Sequence, residues 1–380
     1  MTTQKNPLFQ LQEHGQSVWM DNLSRDVIQS GELKNLIETR GLRGITSNPA
    51  IFEKAISGNQ IYDADIEQGI RAGKSVREIF ESLAFEDIKN ACDIFKPIYE
   101  ESGGLDGYIS IEVPPDIAHD TAKTIEEAKR YHQTIDRPNL MIKIPGTPEG
   151  LPAVTEVIAA GISVNITLLF SVDAYVDTFW AYTAGLEKRV ENGEDISKIA
   201  SVASFFLSRI DSNIDDRLEA KIAKTDDDKL KEKLKGLEGK VAIANAKIAY
   251  QKFKEMVASD RWQALAAKGA NVQRLLWAST STKNPNYSDV MYVDELIGPD
   301  TVNTLPPQTI EACADHCHID DRVETDIDAA KQIIATLPEA DIDLDEVMAE
   351  LLDEGIDKFI KPYQSLMQSL EEKVNQLAAV

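Results

Sequence analysis

The sequence predicts an α/β protein built as a (β/α)8 (TIM) barrel, with a charged helical insertion and a C-terminal helical tail. Three observations predict it. Eight short apolar or β-branched runs recur along 380 residues, and helical stretches separate them. No G-x-G-x-x-G follows the first run, as a dinucleotide-binding open sheet would require. Short strands separated by helices are βαβ units, and eight such units close into a barrel more readily than they spread into a doubly wound sheet.

The strand runs are 17–20, 44–46, 107–113, 140–144, 163–168, 200–206, 274–278 and 301–305. Each is short and rich in Val, Ile, Leu or Phe, as a strand buried on both faces should be. Between them, Phe80, Leu83, Ala84, Ile88, Ala91, Cys92, Phe95 and Tyr99 fall at steps of three and four, which marks one buried helix face. Residues 121–134, 152–160, 173–191 and 241–267 show the same periodicity. Two segments exceed a barrel's needs. Residues 211–239 are highly charged and predict a solvated helical excursion, and 344–380 predict a long amphipathic helix that bends near Pro362 and covers either one barrel mouth or a second subunit. No internal repeat and no linker rich in Pro, Gly or Ser divides the chain, so 1–380 form one domain.

Lys+Arg 40 against Asp+Glu 64 leaves a net charge of −24. That balance disfavours nucleic acid and anionic lipid as partners, and an anionic substrate would need a locally positive pocket. No run approaches the apolar length of a membrane span, and residues 1–22 lack the apolar core of a secretory signal. Cys92, Cys313 and Cys317 suggest no disulfide framework. The expectation is a cytoplasmic protein, monomer or homodimer. Cys313-x-x-His316-Cys317-His318 has the residue types of a metal site, but no second ligand pair stands at zinc-site spacing, so no metal is expected there.

Chemistry is sought where strands give way to loops, at the C-terminal face of the barrel. Lys143 lies within the apolar run Leu140-Met141-Ile142-Lys143-Ile144. Either it is a desolvated amine able to attack a carbonyl, or it sits at a strand end and reaches water along its stem. Polar residues recur at the same end of nearly every strand: Asp21, Thr46, Asn48, Glu112, Asn165, Thr167, Ser204, Arg209, Ser279, Ser281 and Lys283. Singly, each has a structural explanation as a cap or turn residue. Together they suit imine chemistry, with Asp21 or Glu112 moving protons, Asn, Thr and Ser orienting hydroxyls, and Arg209 holding a phosphate or carboxylate.

Gly44-Ile45-Thr46-Ser47-Asn48-Pro49, Ile142-Lys143-Ile144-Pro145 and Asn165-Ile166-Thr167-Leu168-Leu169-Phe170-Ser171 together resemble the transaldolase family, and 277–285 resemble its longer bacterial members. The resemblance implies a (β/α)8 barrel and a cofactor-free class I aldol mechanism in the pentose phosphate pathway. The implied reaction passes a dihydroxyacetone unit between sugar phosphates, converting sedoheptulose 7-phosphate and glyceraldehyde 3-phosphate to erythrose 4-phosphate and fructose 6-phosphate. It implies Lys143 as the Schiff-base lysine, Asp21 as the group that deprotonates the donor hydroxyl, and Glu112 with Thr167 as holders of a catalytic water. It implies substrate contacts from Thr46, Asn48, Asn165 and Ser204, an aromatic at Phe206 near the lysine, and phosphate contacts from Arg209 and Ser279. Many relatives carry arginine where this chain has Ser281, so either Lys283 takes over the second phosphate contact, the favoured reading, or Arg209 carries it largely alone. Free aldolases of the superfamily tend to carry glutamine at the Glu112 position and tyrosine at the Phe206 position, so both residues favour transfer over release. A non-catalytic sugar-phosphate binder is the remaining alternative.

Overall fold

The computed structural model describes residues 6–378. The polar N-terminal stretch and the predicted tail therefore extend, at residues 1–5 and 379–380, outside the described part. Eight parallel strands close on themselves in chain order: β1 Gln16–Asp21, β2 Gly44–Thr46, β3 Ile109–Glu112, β4 Leu140–Pro145, β5 Val164–Leu169, β6 Ser201–Phe206, β7 Arg274–Ala278 and β8 Thr301–Leu305. Every predicted strand is present, with ends shifted by a residue or two. The third falls furthest short of its prediction, beginning at Ile109, two residues after Gly107, which takes φ 83°.

Adjacent registers set the site. Glu112 lies opposite Lys143, Lys143 opposite Asn165, and Asp21 opposite Thr46. Side chains alternate across a strand, so these residues share the barrel interior near one end. Between β5 and β6 the register slips at Ile166/Leu169, and Leu168 takes φ 61°. A branched residue in that region is strained, and such strain collects where a strand is bent to re-aim a side chain. The opposite end of the barrel is tied by Asp106, which accepts from Ser17 Oγ (2.7 Å), Trp19 Nε1 (3.0 Å) and Arg274 Nη2 (3.1 Å). Arg274 beside it holds the Asp106 carboxyl below its ordinary value despite burial.

Three expectations need correction. The predicted helix 241–267 is two, Val241–Val257 and Asp260–Ala266, because Ser259 adopts an extended conformation and caps the second through Trp262 N. Residues 211–239 are largely helical, in Ser208–Lys224 and Asp228–Lys235, but the first of these helices is not fully solvated: Asp211 and Asp215 are buried. Cys313 and Cys317 are joined in a disulfide, since four residues at the end of the helix Pro307–His316 bring their Cα atoms to 4.4 Å. Cys92 is buried and free.

The C-terminal helix Leu344–Ala378 runs unbroken through Pro362. At 35 residues it spans about 50 Å. It packs against the helices Pro49–Ile56, Val76–Glu101 and Ser208–Lys224 and against β5, so it crosses the C-terminal mouth of the barrel. Val347, Leu351, Phe359, Leu366 and Leu370 form its buried face. Arg217 pairs with Glu350 near its start, and Lys373 pairs with Asp63 and donates to Asn59 O near its end. No helix among the described residues is long and apolar enough to cross a membrane.

Candidate active site

Under that helix lies a cavity of about 290 Å³ lined by the C-terminal ends of the strands. Lys143 faces into it and is only 4% exposed, so the buried reading of this lysine holds and the solvent-seeking one does not. Its Nζ donates to Ser47 O at 3.1 Å and stands 3.9 Å from Glu112 Oε2.

Two carboxyl groups flank the amine in different surroundings. Asp21, at the end of β1, opens onto the cavity and accepts from Thr46 Oγ1 at 2.8 Å. Burial raises its pKa above the ordinary value, against the opposing pull of Lys143, the Thr46 bond and Arg209. Glu112 does not line the cavity but borders a small adjoining cleft with Phe52, Phe80, Tyr131 and Tyr363. Neither of its carboxyl oxygens has a hydrogen-bond partner among the described residues. Burial pushes its pKa up to about 8, with Lys143 drawing it down and Asp21 pushing it further. At neutral pH Glu112 therefore keeps its proton and can act as an acid, while Asp21, also raised by burial but opposed by Lys143, Thr46 and Arg209, stands on the cavity wall where a base is needed.

The remaining predicted residues divide into those at the cavity wall and one beneath it. Thr46 Oγ1 also meets Thr304 Oγ1 at 2.7 Å. Asn48 lines the cavity while its side chain caps the helix Pro49–Ile56 through Ile51 N at 3.0 Å, so its structural and functional readings coexist. Thr167 lines the cavity with an unpartnered hydroxyl. Ser204 lines it too, and donates to Asn165 Oδ1 at 2.7 Å. Asn165 is fully buried, donates to Ser110 Oγ at 3.1 Å, and does not reach the wall; here it orients Ser204. Phe206 lines the cavity with its ring 5.1 Å from the Arg209 guanidinium.

Arg209, Ser279, Ser281 and Lys283 gather at one side. Burial lowers the pKa of Arg209, and burial followed by the charge of Arg209 lowers that of Lys283. Lys283 Nζ donates to Ser281 Oγ at 2.8 Å, and Arg209 Nη1 has no hydrogen-bond partner among the described residues. Among the described residues no carboxylate lies within 4.0 Å of either cation. Two partly desolvated cations with no carboxylate in salt-bridge contact, although Asp21, Glu354 and Glu112 act on Arg209 from farther off, form a seat for an anion. Ser279 beside them holds φ 55°, a strained conformation for serine, fixed by Ser208 Oγ at 2.7 Å.

Sequence reasoning missed Thr304, Gln308 and Phe359, which also line the cavity. Thr304 sits at the end of β8, where the strand-end argument could have found it. Phe359 was legible only as one member of an apolar helix face. In the cysteine–histidine cluster, His316 Nε2 meets Asp289 at 2.8 Å and the two sulfurs are committed to each other.

A family model described as Transaldolase/Fructose-6-phosphate aldolase matches residues 18–370. The chain is 68% identical over 377 residues to the transaldolase of Trichodesmium erythraeum (strain IMS101), covering 99% of each chain. It is 68% identical over 378 residues to transaldolase 2 of Nostoc sp. (strain PCC 7120 / SAG 25.82 / UTEX 2576), again 99% of each. Similarity to the transaldolase of Saccharopolyspora erythraea is 48% over 377 residues, covering 99% of this chain and 100% of that one.

Proposed function

The chain belongs to the transaldolase/fructose-6-phosphate aldolase family as an enzyme of the transaldolase type, and from that premise we propose that it moves a dihydroxyacetone unit between sugar phosphates through an imine at Lys143. The observation that carries this is the arrangement of the cavity. A buried amine shares one chamber with the Asp21 carboxyl and the cations Arg209 and Lys283, and the protonated Glu112 stands 3.9 Å from that amine.

In this reading the free amine of Lys143 attacks the ketone carbon of fructose 6-phosphate or sedoheptulose 7-phosphate. Glu112 gives its proton to the departing hydroxyl, which leaves as water and yields a protonated imine. Asp21 then takes the proton from the hydroxyl on C4, the second carbon from the imine carbon C2, as the bond between C3 and C4 breaks and C4 becomes an aldehyde. The aldose phosphate departs, and the bonding electrons pass into the imine to give an enamine. The acceptor aldehyde enters and the same steps run in reverse. Thr46 directs Asp21 through their shared hydrogen bond, and Ser204, Asn48 and Thr167 supply hydroxyl and amide contacts. Arg209, Lys283 and Ser279 seat the phosphate away from the reacting carbon, and so convert binding energy into positioning.

The imine itself accepts the electrons, so this chemistry calls on no cofactor. Pentose phosphate metabolism and the cytoplasm belong to the same proposal, since charged sugar phosphates are retained by bilayers.

The test is trapping. Borohydride with fructose 6-phosphate should add a three-carbon adduct to Lys143, read by intact mass and peptide sequencing. Turnover should require erythrose 4-phosphate. Turnover equally fast without the acceptor would make the protein a free aldolase, and no adduct would make it a binder.

A further inference from the structure

Residues 211–239 carry two buried carboxyl groups that the mechanism does not use. Asp211 and Asp215 lie four residues apart on one face of the helix Ser208–Lys224. Asp211 accepts from Ala242 N at 2.8 Å and from Tyr292 OH at 2.6 Å. Asp215 accepts from Gly239 N at 3.0 Å and from Tyr287 OH at 2.7 Å. Each therefore holds one amide at the start of the helix Val241–Val257 and one phenol from the chain that follows β7.

That following chain also bears Ser279, Ser281 and Lys283, while Arg209 stands two residues before Asp211 on the same helix. The two acid–phenol bonds thus join both halves of the anion seat from outside, because none of the four residues lines the cavity. The return of the insertion is fitted to the same purpose. Gly239 has φ 68°, and a Cβ there would stand 2.7 Å from the Tyr287 ring, so only glycine lets that ring approach the backbone.

The tether has work to do. Arg209 and Lys283 repel one another across a partly desolvated gap, and Lys283 is exposed enough to swing toward solvent. Hydrogen bonds buried beneath the loop oppose that movement, which keeps the seat formed before substrate arrives.

We propose that Asp211 and Asp215 are positioning residues for the phosphate seat, holding the Lys283 loop against the Arg209 helix through Tyr292 and Tyr287; this rests on the sugar-phosphate reading above. The insertion is then the clamp of the phosphate site rather than an ornament on the barrel.

The test uses the full-length enzyme with Tyr287→Phe and Tyr292→Phe combined, which removes two hydroxyls and keeps both rings. Three quantities are measured: KM for fructose 6-phosphate with erythrose 4-phosphate, inhibition by inorganic phosphate, and borohydride trapping of dihydroxyacetone, which has no phosphate. KM and the phosphate inhibition constant should rise together about tenfold, with dihydroxyacetone trapping unchanged. The rise should largely vanish when measured on a Lys283→Ala background, because the loop then has nothing to deliver. A folded variant with wild-type KM and phosphate inhibition overturns the proposal. Equal losses in dihydroxyacetone trapping also overturn it, since they mark general loosening. Wild-type enzyme that neither turns over fructose 6-phosphate nor responds to phosphate would overturn the sugar-phosphate reading itself, and the clamp with it. Should the double variant not fold, each single variant gives the same readout.

Discussion

The ring of Phe359 lies 5.6 Å from Nζ of Lys143. It reaches there from the C-terminal helix and is itself 4% exposed, so an apolar roof closes over the amine. An enamine waiting for a second aldehyde survives only where water is kept from it. Phe359→Ala should therefore raise acceptor-independent release of dihydroxyacetone about tenfold and lower the ratio of transfer to release. Fructose 6-phosphate consumption with and without erythrose 4-phosphate measures that ratio. An unchanged ratio would remove Phe359 from the shielding of the intermediate.

Lys143→Ala and Asp21→Asn should fail at different steps. The first should abolish borohydride trapping and lower turnover by about 10³-fold or more, with the barrel retained. The second should still form the adduct while cleavage slows by about 10²- to 10⁴-fold. Trapping lost and cleavage spared in Asp21→Asn would invert the assigned roles.

Glu112 makes stability depend on pH. Its folded pKa of about 8 lies above the ordinary 4.5, because burial outweighs the attraction of Lys143. Between those values the folded chain binds a proton that the unfolded chain has lost. The contribution of Glu112 is thus fully present below pH 4.5 and is lost as pH rises through about 8. Lys143, Asp21, Arg209 and the phenols of Tyr131 and Tyr363 surround it in both wild type and variant. Denaturant unfolding at pH 5 and pH 8.5 should show wild type losing about 1–3 kcal/mol more than Glu112→Gln across the interval. Parallel pH profiles would show that Glu112 ionises as freely in the fold as in water.

The close approach of the C-terminal helix depends on Gly355. A Cβ at that position would stand 2.9 Å from Leu168 Cδ2 and 3.5 Å from Arg209 Nη1. Leu168 is buried, so its side chain has little room to yield. Alanine improves helix propensity by about 1 kcal/mol, but overpacking costs about 1–3 kcal/mol, so the clash should win. Gly355→Ala should raise KM for fructose 6-phosphate about three- to tenfold by displacing Arg209. A variant that melts higher and keeps its KM would show that the helix accommodates the methyl group.

The barrel and most of its site were legible because both follow from local pattern. Alternation of short apolar runs with helical periods defines each unit, and polar residues at one strand end stand out against apolar neighbours. Lys143 was conspicuous for that reason. The burial of Asp211 and Asp215 was not, because their partners Tyr287 and Tyr292 lie far along the chain and a charged helix looks solvated until something covers it. Asn165 was read as a wall residue because its strand position is right, while the depth of its side chain in the barrel is set by Ser110 and Ser204 from neighbouring strands. The Cys313–Cys317 link was passed over because sequence spacing describes proximity along a helix end but not the bond itself.

The cation pair Arg209 and Lys283 sits within a chain of net charge −24. At long range an incoming sugar phosphate meets a field of its own sign, and the seat's attraction prevails only within about 8 Å, the screening length at physiological ionic strength. Raising salt from low to moderate concentration shortens the reach of that repulsion before it weakens contacts inside the recessed mouth. Encounter with substrate should then quicken, the reverse of an enzyme whose whole surface draws anions inward.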